Sequence, residues 1–497
     1  MEWTWSITCL FVTILSILYG LLKYQYSHWK RRGVPYIEPK FPYGNLKGYG
    51  KTEHPVFVHD ELYKKFKNEA PFMGAYFTLV PVALLTDLDL IHKVLIKDFN
   101  YFLNRGFYYN ARDDPISAHM FALDGEEWRE VRRKFTPSFT PAKMKYMFPT
   151  VIQVADKFMP LLENTLAKDN AIEIRGLLAR FTTDVIGTVA FGIDCNSMEN
   201  PDTKFRLIGK KVFDEPLHSK FIQVVLSLCP EVGRFFKIKL FSDTVSSFFS
   251  GVVNEIVHQR ETTNYRRQDF MDLLIEMKNS PIDKKKINMN ELTAQAFVFF
   301  LAGFETSSTT MSFVLYNLAK HPEVQERVRN EILEAINRHD NELTYEAIME
   351  MTYLDQVINE SLRMFPPLAS LTRRAVDDYK VRGTKHTFEK GSSLLIPTYS
   401  IHHDPSIYPD PERFDPERFS PEEVKKRHPM SFLPFGDGPR NCIGLRFGVM
   451  VTLVGVSLIL KQYRVNVCSK TANPLVFSLK SIILAPEDGM WLQFDKL

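Results

Sequence analysis

Apolar residues recur every three to four positions along most of this chain, the period of helices that bury one face. The pattern predicts helices over residues 150–167, 172–190, 245–260, 291–320, 322–337, 353–364 and 445–461. Pro322, directly after His321, suits the first position of a new helix, where its missing N–H costs nothing. Alternating or β-branched runs predict fewer strands, over 75–85, 372–376, 393–398 and 482–494. No internal repeat and no low-complexity linker interrupts the chain after residue 45, so residues 46–497 read as one domain. The fold class expected is mostly α with small β-sheets.

Two apolar runs stand apart from that pattern. Residues 3–22 carry no charge, and about 20 apolar residues span a bilayer. Trp3 and Trp5 sit at one edge and Tyr19, Tyr24 and Tyr26 near the other, as interfacial anchors do. Lys23, Lys30, Arg31 and Arg32 follow, with no acid among them. Charge after a long apolar run, rather than before it, disfavours a cleaved signal peptide. Residues 1–22 therefore read as a single-pass anchor in the endoplasmic reticulum membrane, with the rest of the chain on the cytosolic face. Residues 23–45, with Gly33, Pro35, Pro39, Pro42 and Gly44, read as a basic, stiff linker that isolates the domain. The second run, 447–460, is too short to span and fits a buried core helix.

Composition removes several function classes. The 497 residues can bury a core large enough to enclose a cofactor. With 62 basic against 59 acidic residues the net charge is +3, which leaves no nucleic-acid footprint. The five cysteines are scattered, form no C-x-x-C pair, and suggest neither zinc nor a disulfide framework. Adjacent His402 and His403 do not converge on a metal, and Asp404-Pro405 makes their segment a turn.

One of the five cysteines has a distinctive setting. Residues 435–444 read F-x-x-G-x-R-x-C-x-G and run into the apolar helix. A cysteine in a glycine-rich loop before a helix suits an anionic axial ligand to haem iron. The glycines allow close approach of the backbone to a flat macrocycle, and the helix N-terminus favours the thiolate. Arg440 lies within reach of a haem propionate. The signature resembles that of the cytochrome P-450 haem-thiolate monooxygenases. The resemblance implies haem b as cofactor, Cys442 as its axial ligand and Phe435 packed against it, and a cytochrome P-450 fold behind a single transmembrane helix.

Other segments extend the resemblance over essentially the whole chain. Ala302-Gly303-Phe304-Glu305-Thr306-Ser307 interrupts the longest apolar helix and resembles the family's oxygen-activation motif. The reading is a kinked helix crossing the haem. Gly303 leaves room for dioxygen, Thr306 hydrogen-bonds it, and Glu305 relays protons through water. Glu360 and Arg363 are three apart on one helical face and can pair. With Arg418 of Pro416-Glu417-Arg418-Phe419 they match a buried structural triad; Pro411-Glu412-Arg413-Phe414 is a decoy copy. Trp128 and Arg132, four apart, and Arg373, ten residues after Arg363, match the family's propionate partners, although the adjacent Arg374 competes with Arg373.

The substrate pocket is expected to be roomy and apolar. Phe107, His119 and Phe121 precede the propionate helix. Phe297, Phe300 and Leu301 lie one or two turns before Thr306. Leu368 and Leu371 follow the E-x-x-R motif, and Ile482 and Ile483 lie near the C-terminus. The segments 181–192 and 114–125 look like the insect microsomal branch, which implies lipophilic substrates such as plant toxins, insecticides and other xenobiotics. No G-x-G-x-x-G fingerprint or flavin domain is evident, so electrons must come from another protein. The resemblance implies NADPH–cytochrome reductase, with cytochrome b5 as a helper. Arg129, Arg133, Lys134, Lys425, Lys426 and Arg427 flank the motifs beside the thiolate and are candidates for a docking patch. A haem-thiolate isomerase needs no acid–alcohol pair, and a haem gas sensor would need an output domain; both are disfavoured.

Overall fold

The computed structural model describes residues 2–267, 269–279, 287–479, 481 and 483–497. The long helix Met289–Lys320 runs through the middle of the molecule, and nearly every residue after Phe304 is buried. Asn288 and Glu291 close a capping box at its start, each side chain meeting the other's backbone N–H at 2.9 Å. Around it pack Pro141–Leu166, Ile174–Ile186, Thr352–Met364 and Leu445–Gln462, and together they bury the larger apolar core. Both Met289–Lys320 and Leu445–Gln462 are apolar enough to cross a membrane, yet most of each is buried inside the protein. The apolar run after the cysteine loop is thus a core helix, as its length predicts.

A four-stranded sheet carries the second core. Its order is Phe72–Phe77, Val80–Leu85, Ser393–Ile396, Leu371–Arg374, and only the middle pair is parallel. The sequence pattern predicts one strand over 75–85; the structure folds it into a hairpin around Thr78, whose φ is +57°. No glycine, asparagine or proline marks that turn, so periodicity alone reads through it. Of the predicted terminal strand, only Trp491–Lys496 forms, pairing with Ala171–Glu173 and Tyr463–Asn466.

The apolar helix Glu2–Tyr26 leaves its side chains exposed through the membrane-length segment. Residues 23–45, expected to isolate the domain as a linker, pack onto it. Trp29 is buried, donating from its indole to Ala75 O at 3.0 Å and from its backbone to Tyr76 Oη at 3.1 Å. Its ring fills the space above Gly74, where a Cβ would fall 2.3 Å from Trp29 Cγ. Val34 and Leu46 join the same core. The segment after the anchor is therefore clamped onto the sheet.

Candidate functional site

A cavity of about 300 Å³ lies between the middle of the long helix and the loop before Leu445–Gln462. Both Thr306 and Cys442 line it, from opposite sides. Cys442 has exposed surface, but that surface is cavity wall rather than the outside of the protein. Its backbone N–H donates to Phe435 O at 2.8 Å, which folds the loop back on itself. Gly436 and Gly438 have φ of +65° and +72°, and a Cβ on Gly438 would lie 1.9 Å from Leu95 O. Burial pushes the Cys442 thiol up, while the Gly444 N–H and the guanidinium groups of Arg132 and Arg105 pull it down. Burial outweighs these three contributions, so without a bound cation at the sulfur the thiol's pKa stays above its ordinary value.

Beside that sulfur, guanidinium groups crowd together. Arg440 is buried with its guanidinium 4.2 Å from the Trp128 ring centroid and donates to Leu123 O at 2.6 Å. Arg132, one turn after Trp128 on the helix Gly125–Phe135, donates to Asn441 O at 2.9 Å and Asn441 Oδ1 at 2.6 Å. Arg373 is buried on the sheet edge facing the cavity, whereas Arg374 turns away and donates to Ser227 O at 2.8 Å. The fourth, Arg105, donates to Phe121 O at 3.1 Å and Arg440 O at 2.8 Å. Burial and mutual repulsion push Arg440 down to about 8, Arg373 to about 9 and Arg105 to about 10. Guanidinium groups stay charged in proteins, so these depressions express a demand for anions that the protein itself does not meet. Asp124, 3.9 Å from Arg440, is the nearby carboxylate. Arg440 Nε and Nη1 and Arg373 Nε are buried with no partner among the described residues. A flat dianion with a metal centre above Cys442 fits this donor set: its two carboxylates answer the orphaned guanidinium atoms, and its metal answers the thiolate.

On the opposite wall, Thr306 Oγ1 donates to Ala302 O at 2.6 Å, which leaves the oxygen's lone pairs available. The helix is continuous through Gly303. Gly303 lines the cavity, as expected, and also permits a close helix crossing, since a Cβ there would lie 2.3 Å from Ile186 Cδ1 and 2.7 Å from Ile186 Cγ1. Glu305 also departs from its expected place. It is buried on another face of the helix, paired with Arg175, and is not part of the cavity wall.

The triad forms behind the cysteine loop. Arg363 meets both Glu360 oxygens, Nε to Oε2 at 2.7 Å and Nη2 to Oε1 at 2.9 Å, with neither side chain exposed. Arg418 approaches Glu360 Oε1 at 3.5 Å, an ionic contact without hydrogen-bond geometry, so the second P-E-R-F copy supplies the third side chain, while Pro411 O of the first copy accepts from Arg363 Nη2 at 2.8 Å. Burial raises the Glu360 pKa, against the pull of Arg363. His402 is structural: Nδ1 lies 3.1 Å from Arg363 O and Nε2 accepts the Leu433 N–H at 2.9 Å.

Of the expected pocket residues, Phe107, Phe121, Leu368 and Leu371 line the cavity. His119 instead packs against the Phe121 and Phe297 rings, and its neighbour Met120 faces the cavity. Phe297 and Phe300 belong to the core and the half-buried Leu301 packs against it, and Phe299 and Val298 take their place on the wall. The reason is helical: at about 100° per residue, seven or eight positions before Thr306 return to its face, whereas five, six or nine do not. Ile483 is buried in the core, and Ile482 lies outside the described residues. Arg105 is missed by motif reasoning because it comes from a loop with no regular spacing to the other arginines. Among the candidates for a docking patch, Arg427 is committed to the interior, its guanidinium 4.9 Å from the Tyr408 ring and 5.2 Å from that of Phe419. Lys426 pairs with Glu423 and Arg129 with Glu126.

Comparison with known proteins agrees with this geometry. The family model described as Cytochrome P450 matches residues 35–493. Similar curated proteins include "Probable cytochrome P450 6a13" of Drosophila melanogaster, 43% identical over 493 residues and covering 99% of each chain. "Cytochrome P450 6a2" of the same organism is 43% identical over 502 residues, covering 98% of this chain and 99% of its own. "Cytochrome P450 6A1" of Musca domestica is 42% identical over 491 residues, covering 97% and 96%.

Proposed function

Because the chain belongs to the cytochrome P450 family, we propose that it is the membrane-anchored form that hydroxylates or otherwise oxygenates lipophilic foreign compounds. Plant toxins and insecticides are the substrate class, and NADPH is the source of electrons. The family's reaction is monooxygenation, and its cofactor is haem held by a cysteine thiolate. When bound, that haem supplies reductive activation of dioxygen and insertion of one oxygen atom into the substrate. The observation that carries the proposal is the cavity itself: a thiol on one wall, a hydroxyl on the other, and mainly apolar side chains between them.

The chain's own residues divide the work. Cys442 would hold the iron, while Arg105, Arg132, Arg373 and Arg440 would hold the carboxylates and fix the plane of the ring. Trp128 would support Arg440 from below. Thr306, the hydroxyl closest to the middle of the unbroken helix wall, would accept and pass a proton. Glu305, tied to Arg175, would act only by leaving that pair. Phe107, Phe121, Phe299 and Leu368 exclude water and favour apolar substrates. The triad of Glu360, Arg363 and Arg418 would keep the loop of Cys442 in place.

Electrons would come from NADPH–cytochrome reductase docking on the side where the thiolate lies nearest the surface, with cytochrome b5 as an auxiliary donor. The anchor Glu2–Tyr26 would hold the enzyme on the cytosolic face of the endoplasmic reticulum. Full-length protein in lipid, given reductase, NADPH, O2 and an alkyl aryl ether, should give an oxygenated or dealkylated product that depends on NADPH. Rearrangement of a fatty-acid hydroperoxide without reductase, and no NADPH-dependent product, would make it an isomerase instead.

A further inference from the structure

The cavity wall is mainly apolar, and nearly all its polar side chains have a partner or a role that accounts for them. The arginines and Asn441 surround the loop of Cys442, Thr372 donates to Arg105 O at 3.0 Å, and Thr306 and Thr310 bond back to their own helix. Ser370 differs. It lies on the wall between Leu368 and Leu371, away from the arginines' carbonyl partners, and its Oγ is 2.9 Å from His59 Nδ1.

His59 is an unusual residue to bury there. It is 5% exposed and stacked on Phe77, with ring centroids 5.6 Å apart and planes 4° from parallel. Tyr49 lies 5.9 Å away on another side. Burial holds its pKa down to about 4, so the ring is neutral at physiological pH. Nε2 is buried with no partner among the described residues. A phenylalanine or leucine would fill the same space without that unpaired nitrogen, whose burial opposes folding. The one hydrogen bond recorded for its side chain is to Ser370.

We infer that Ser370 is a specificity-determining hydrogen-bonding group of the cavity, positioned by His59, and that it selects lipophilic substrates carrying a lone hydroxyl or carbonyl oxygen. A serine hydroxyl has one donor and two acceptor sites, and the imidazole occupies one of them. In either tautomer of His59 the hydroxyl keeps a site for a cavity ligand. When Nδ1 is the acceptor, Ser370 accepts from a substrate hydroxyl; when Nδ1 carries the hydrogen, Ser370 donates to a substrate carbonyl or hydroxyl. A polar site in an apolar wall discriminates strongly, because a ligand that lacks the matching group leaves the site unpaired. The inference rests on the reading of this cavity as the substrate site.

The test is spectral titration of haem-loaded enzyme with a matched pair of probes, dodecan-1-ol and dodecane. Wild type should bind the alcohol about tenfold more tightly than the alkane allows from its apolar contacts alone, the ratio that one good hydrogen bond gives. Ser370→Ala should remove most of that preference. His59→Phe keeps the stack on Phe77 and should lose part of the preference. His59→Asn, whose amide nitrogen can replace Nδ1, should restore it. A purely structural role for His59 would instead change both probes together and show no such rescue. Equal affinities for the two probes in wild type, or an unchanged ratio in Ser370→Ala, overturns the inference while the cavity reading stands. Failure of both probes to perturb the haem spectrum overturns the cavity reading, and the inference with it.

Discussion

In the proposed reaction Thr306 delivers the proton. Its hydroxyl is on the cavity wall, already donating to Ala302 O, and has a free face toward the reacting space. Positioned proton transfer contributes about 10²–10⁴ in rate. Thr306→Ala should therefore leave haem content and substrate binding intact but lower product formed per NADPH by roughly tenfold or more. Peroxide or water should account for the difference, and coupled assays of NADPH, peroxide and product measure it; unchanged coupling would reduce Thr306 to a helix residue. The loop of Cys442 was legible because its chemistry is local: glycines, arginine and thiol fall within ten residues. The guanidinium cluster was only partly legible. Trp128 and Arg132 share a helix face and announce themselves, whereas Arg105 reaches the same place from a loop, through tertiary contacts that no spacing records.

Pairs of elements explain what single motifs misstate. Gly303 lies where Met289–Lys320 crosses Ile174–Ile186, and Ile186 fills the space a side chain would need. Alanine favours a helix over glycine by about 1 kcal/mol, while overpacking costs about 1–3 kcal/mol. Gly303→Ala should therefore lower stability by up to about 2 kcal/mol in denaturant titration. In an Ile186→Ala background the same change should be neutral or stabilising. Equal costs in both backgrounds would mean that the two helices do not meet through this contact. The glycine was visible in the sequence, but its partner was not, and an interior glycine alone does not distinguish a kink from a close crossing. The same limit explains Phe297, Phe300 and Leu301. They are apolar and close to Thr306 in sequence, but the angular period of the helix turns them to the core.

The molecule as a whole joins an apolar, membrane-length N-terminal helix to a packed body through Trp29. Removing residues 2–22 should leave a folded haem domain that carbonate extraction releases from membranes, while the full chain stays in the pellet. Trp29→Ala should cost about 3–5 kcal/mol, as for other buried large-to-small changes. Thermal unfolding of the truncated protein with and without that substitution checks this; equal midpoints would mean a free linker. The basic, proline-rich composition of 23–45 hid the contact because the helix His28–Arg32 is only five residues long and its one buried residue, Trp29, establishes no periodicity. Acid should also weaken the whole body. Burial holds His59 and His119 at about 4 and His403 at about 3, below the ordinary 6.5. The unfolded chain takes up protons near pH 6.5 that the folded one refuses until much lower pH, so stability falls as pH drops from about 6.5 through 4, and for His403 on toward 3. Each of the first two contributes about 3 kcal/mol of that loss. A melting temperature that stays flat from pH 7 to 4.5 would contradict it. The central claim is that Cys442 binds haem iron as a thiolate, and the most direct measurement is the absorption spectrum of the reduced protein under carbon monoxide. Wild type should show the strongly red-shifted Soret band of thiolate ligation, and Cys442→His should lose it while the other four cysteines remain in place. The same band persisting in Cys442→His would contradict ligation by this cysteine.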